Sequence, residues 1–170
     1  MPSTRFISGA LAVMLLGGLT ACQPGRPETS IPASTQGLEA PARNGARIYF
    51  TATSERGTRP GHTGGPVLGG MMGDSGQWLT CASCHGPEGR GGTHLMHMRV
   101  MNAPDIRHAA LSNMPELKGR AQPYDIEDFR RTVEQGQHPD GEKLNTDMPR
   151  WQMSDADLAD LFAFLKSLPQ

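Results

Sequence analysis

Cys81-Ala82-Ser83-Cys84-His85 is a C-x-x-C-H run, the spacing at which two thiols add to the two vinyl groups of one haem. The histidine directly after them reaches the iron from one face of the ring. A bare C-x-x-C also fits a thioredoxin-like redox pair or half of a zinc site. The chain has three cysteines, Cys22, Cys81 and Cys84. A four-cysteine zinc site is therefore excluded, while one C-x-x-C completed by histidines stays open. A thioredoxin pair would lie between a strand and a helix, and nothing around Cys81 has the alternation or β-branching of a strand. One motif predicts one haem, with Cys81 and Cys84 as its thioether residues and His85 as its proximal iron ligand.

The third cysteine belongs to the N-terminus. Residues 1–21 read as a secretory signal, with Arg5 as the only charge before an apolar run from Phe6 to Leu19. That run is interrupted by Gly9, Gly17 and Gly18 and is short for a membrane span. It ends in Leu19-Thr20-Ala21-Cys22, which resembles the lipobox of bacterial lipoproteins and implies a lipid on Cys22. An ordinary signal peptide with a chance cysteine is the alternative. Export agrees with haem attachment outside the cytoplasm, and the expected location is the periplasmic side of a bacterial membrane. Gln23 does not resemble an inner-membrane retention signal, which leaves the outer membrane open. Residues 22–41, with Pro24, Pro27, Pro32 and Pro41 among Gly, Ser and Thr, read as a flexible tether reaching about 25 Å.

The elements that must position the motif lie in residues 42–170, a length that suits one domain. Aromatic residues make up 5% of the chain and there are 21 glycines, so the polypeptide alone makes a thin core that a porphyrin would complete. The net charge is −1, with no basic block of the kind that binds nucleic acid. The sequence predicts helices and loops without a strand. The first helix spans about Pro41 to Thr51, with Gly45 four residues before Tyr49. Asp125 caps a second that runs to Gln135 and ends at Gly136. Ser154 caps the last, where Leu158, Leu161, Phe162, Leu165 and Leu168 recur at helical spacing before Pro169.

In this order a G-x-x-x-Y helix, C-x-x-C-H-G, a proline loop, a Gly-terminated helix, Met148-Pro149 and an apolar helix resemble the class I cytochrome c domain. The resemblance covers about Ala42 to Leu168 and is strongest at Cys81 to Gly86 and Gly141 to Trp151. It implies an all-α fold, three to four main helices around one covalently bound haem. It also implies that Gly45 and Tyr49 meet Leu161 and Phe164 where the first and last helices cross, unless Gly45 is a loop glycine before a shorter helix. The chain departs from the family in the roughly thirty residues 51–80, a Gly-rich loop insertion before the motif. A loop of that length is often functional, and it would cover a haem edge or face a partner.

Met148 is the expected distal iron ligand, following a Gly-containing turn and stiffened by Pro149, as in the family. Met114, Met101, Met71 and Met72 are its rivals, and a packed core methionine is the plainer reading. By the same resemblance the carbonyl of Pro104 receives the free N–H of the proximal imidazole. Arg99, Arg150 and Trp151 are candidates to meet the haem propionates, against the plainer reading of solvated surface arginines. His94, Met96, His97, Met98 and Met101 concentrate imidazole and thioether groups, and His62, Met71 and Met72 lie in the insertion, a composition that suits copper as a second metal.

These residues describe a membrane-tethered one-electron carrier rather than an enzyme, with a redox protein donor and acceptor as partners. Two alternatives stand beside it. One is an accessory cytochrome subunit of an oxidase or dehydrogenase, with the insertion as its docking surface. The other is a haem sensor, haem enzyme or copper-binding haem protein whose iron has an open face.

Overall fold

The structure is a computed structural model that describes residues 31–66, 79–96 and 99–169, without the side chains of Met96 and Arg99. The signal sequence, Cys22, Met71, Met72, His97 and Met98 lie outside the described residues. Among those described are five α-helices: α1 (Ala40–Thr51), α2 (Cys81–His85), α3 (His108–Ser112), α4 (Ile126–Arg130) and α5 (Asp155–Ser167). None is long and apolar enough to cross a membrane.

Two long helices carry the frame. Pro41 sits in the first turn of α1, where a missing N–H costs nothing. Ser154 caps α5 by accepting from the N–H of Asp157, and Asp155 and Asp157 lie at its positive end. The two helices pack against each other through Ala46, Tyr49 and Phe50 on one side and Leu158, Leu161 and Phe164 on the other. Gly45 makes the crossing. A Cβ there would fall 1.9 Å from the carbonyl oxygen of Asp160 and 2.8 Å from Cβ of Phe164. At Gly45 itself the contact is Asp160 and Phe164, with the Tyr49 ring 5.1 Å from that of Phe164, while Leu161 packs in the same core cluster as Tyr49.

Two expectations are corrected. The fold is not purely helical: β2 (Gly92–Met96) pairs with β3 (Arg99–Ala103), and β1 (Gly61–Thr63) pairs with β4 (Arg150–Gln152), both antiparallel. These strands have three to five residues, too short for alternation to distinguish them, and β1–β4 is held by partners far apart in sequence. Within the insertion, β1 thus lies against the chain just after Met148-Pro149. Residues 31–39 are likewise not free tether. Ile31 and Leu38 pack on the core and Thr35 is buried, with its hydroxyl donating to the carbonyl of Pro32.

The middle helix also differs in its geometry. Asp125 caps α4 as expected, but after Arg130 the backbone widens into a π turn over Arg131–Gln135. It closes at Gly136 in the left-handed conformation.

Candidate functional site

The C-x-x-C-H run is itself α2, a helix too short to be stable alone. Its N-terminus is closed by a capping box: Thr80 Oγ1 accepts from Ser83 N–H while Ser83 Oγ accepts from Thr80 N–H. Its C-terminus is tied to α1, since Tyr49 donates its hydroxyl hydrogen to the Gly86 carbonyl at 2.6 Å. The motif is thereby fixed to the helix crossing.

His85 is buried, and its Nδ1 lies 3.0 Å from the carbonyl oxygen of Pro104. A carbonyl only accepts, so Nδ1 carries the proton and Nε2 keeps a lone pair. Burial lowers the His85 pKa, partly opposed by the Pro104 hydrogen bond. The ring is held neutral, as a metal ligand must be.

The thiols speak against a redox pair. Burial pushes Cys81 up to about 12 and raises Cys84 as well, whereas C-x-x-C oxidoreductases depress a thiol pKa. They speak against zinc too. Among the described residues no three His, Cys, Asp or Glu side chains gather as a metal site.

Cys81, Cys84, His85 and Met148 line one cavity of about 570 Å³. Its walls are apolar, among them Leu79, Leu111, Phe129, Val133 and Trp151, all buried. The size and lining suit a large, flat, apolar cofactor. Among the described residues His94 Nε2 is a buried atom without a hydrogen-bond partner, and His94 lines the same cavity. An orphaned imidazole nitrogen on an apolar wall calls for a polar group that the described residues do not supply. A haem fits these residues: two thiols at vinyl spacing, one neutral imidazole, one thioether, and room for the ring.

The other candidates are placed as follows. Met101 lines the cavity and is buried opposite His94 on the β2–β3 pair. Met114 packs on the core but does not line the cavity. Trp151 is a wall residue, its ring 4.9 Å from that of His62. Arg99 lies on β3 opposite Met96. Arg150 is bonded within the polypeptide: Nη1 donates to the carbonyl of Met148 and Nη2 to that of Leu144. His62 stands against Trp151 while His94 lines the cavity, so copper gains no support.

Three features escaped the sequence reading. The Tyr49–Gly86 bond had a signal in the G-x-x-x-Y spacing, because Tyr49 is the residue that faces away from solvent one turn beyond Gly45. The close approach of the Arg150 guanidinium to Gly136 and the cluster in which the exposed Arg56 joins the buried Asn44, Ser54, Asp157 and Asp160 had none, since each joins residues distant in the chain.

No curated protein and no solved structure matches the chain. The family model described as Cytochrome c matches residues 42–169, the span that holds all of α1 but its first two residues, α2 through α5, and every described residue that lines the cavity. The chain therefore belongs to the cytochrome c family, electron-transfer proteins whose domain carries a covalently bound haem c.

Proposed function

We propose that the protein is a monohaem one-electron carrier in which Cys81 and Cys84 hold the haem by thioether bonds and His85 and Met148 ligate its iron. The observation that carries this reading is the convergence of all four side chains on one apolar cavity. When bound, the haem supplies an iron that takes up and releases a single electron. The chain's task is to keep the surroundings of that iron alike in both oxidation states. Pro104 holds the His85 ring in one orientation through its Nδ1 proton. Pro149, buried, restricts the backbone beside Met148. The apolar walls exclude water, and with a neutral thioether on one side they favour the ferrous state and a raised potential.

The proposed setting is the periplasmic side of a bacterial membrane, with Cys22 lipidated and redox proteins as donor and acceptor. The lipobox-like Leu19-Thr20-Ala21-Cys22 supports the anchor. Mass spectrometry of the native N-terminus tests it, and an unacylated mature protein would remove that part of the reading.

The spectrum of the oxidised protein tests the ligation. A low-spin ferric spectrum with the weak far-red methionine band is expected, and Met148→Ala should abolish that band and leave a high-spin iron. A wild-type iron already high-spin and binding cyanide or carbon monoxide would replace electron transfer with a sensor or enzyme.

A further inference from the structure

The loop that presents Met148 runs from Gly136 to Arg150, and one guanidinium ties it together. Nη1 of Arg150 donates to the carbonyl of Met148 and Nη2 to the carbonyl of Leu144. Leu144 is itself bonded back to the start of the loop, its N–H donating to the Gly136 carbonyl at 2.9 Å. Gln137 and Lys143 form a backbone bridge between these points. Arg150 also belongs to β4, opposite Thr63 of β1. A single residue thus joins the carbonyl of the proposed ligand, the middle of its loop and the insertion.

Gly136 makes room for this. Its φ of +64° suits glycine, but the space matters as much. A Cβ at position 136 would lie 1.8 Å from Nε and 2.1 Å from Cζ of Arg150. Any side chain at 136 must expel the guanidinium.

We propose that Arg150, with the clearance at Gly136, is a positioning residue that holds the Met148 sulfur on the iron. This rests on the reading of Met148 as the distal ligand. A thioether is a weak ligand for ferric iron, so its occupancy depends on how few other positions its loop can take. Hydrogen bonds from a charged donor are among the stronger restraints available, and losing them should weaken the hold on the iron about tenfold. The geometry is a planar fork on two carbonyls, which an ammonium cannot copy.

The test follows the far-red band of the ferric holoprotein as pH rises, since competing bases displace a weakly held methionine. A tenfold weaker hold moves the midpoint down by about one pH unit. Arg150→Lys keeps the charge and loses the fork; Arg150→Gln loses both. Both should shift the midpoint down. Gly136→Asn tolerates positive φ yet fills the clearance, so it should shift the midpoint as well, with no further shift when added to Arg150→Gln. Circular dichroism of each variant separates loss of the iron–sulfur bond, which the band reads, from loss of the fold. An unchanged midpoint in Arg150→Lys, or additive shifts in the double variant, overturns the proposal while Met148→Ala still abolishes the band. Persistence of the band in Met148→Ala overturns the ligand reading and this proposal with it.

Discussion

The two faces of the cavity are built by different means. On the His85 side the ligand follows the two thiols without a gap, on a helix capped by its own neighbours Thr80 and Ser83. On the Met148 side the ligand sits in a loop whose supports come from residues 136, 144 and 150 and, through β1, from residues 61–63. The first face is local in sequence and the second is assembled by the fold. A ligand presented locally needs few contacts from elsewhere, here the Pro104 carbonyl on His85 and the Tyr49 hydroxyl on Gly86. One presented by tertiary contacts is only as well placed as the frame behind it.

That difference can be broken at the frame. Gly45→Ala puts a Cβ 1.9 Å from a backbone carbonyl oxygen, which cannot move without moving α5. Overpacking of this kind, where backbone must shift, costs up to about 3 kcal/mol. Both faces hang on the crossing, the His85 side through Tyr49 and the Met148 side through β4, which runs into α5. Chemical denaturation should show the full loss, with weakening of the far-red band at lower denaturant than unfolding of the helices. Simultaneous loss of both signals would mean that the Met148 side is no more dependent on the frame than the His85 side.

The legibility of the chain follows the same division. Cys81, Cys84 and His85 were readable because their chemistry needs adjacency, and Asp125 and Ser154 because a cap acts within three residues. The α1–α5 crossing was readable from Gly45 and Tyr49 in outline, although the partner at 160 was not. The β1–β4 ladder was not readable, because three residues of Gly-His-Thr carry no pattern until Arg150–Gln152 lies beside them. The task of Arg150 was hidden for a related reason: an arginine after Met-Pro has the same sequence whether it meets a carboxylate, a propionate or two carbonyls. The docking of residues 31–39 was masked by prolines that also suit a tether.

A smaller effect should come from acid. Burial would raise the Asp157 carboxyl, but donors from Ser54, Thr58, Ser154 and Arg56 outweigh it and bring it down to about 2. Of these donors, Ser54, Arg56 and Thr58 fasten the start of the insertion to α5. A carboxyl lowered in the folded state stabilises fully above its unfolded pKa near 4 and loses that stabilisation as pH falls through about 2. The share is about 2 kcal/mol. Denaturant titrations between pH 5 and 2 should show this slope and Asp157→Asn should flatten it. An unchanged slope in the variant would show that the insertion is not fastened by this charge.

The smallest effect tests the self-sufficiency of the His85 side. Helix α2 has five residues and few bonds of its own, so the Thr80 hydroxyl satisfies one of the few donors at its start, Ser83 N–H, at 3.2 Å. Removing such a cap costs about 1 kcal/mol, and serine in its place costs almost nothing. Thr80→Ala should therefore lower the thermal midpoint of the holoprotein slightly, with Thr80→Ser near wild type. The alkaline midpoint of the far-red band should stay where it is in both, because no bond of Thr80 reaches the loop from Gly136 to Arg150 among the described residues. A band that weakens in Thr80→Ala would mean that the two faces are one cooperative unit, and that the local construction of the His85 side does not isolate it from the Met148 side.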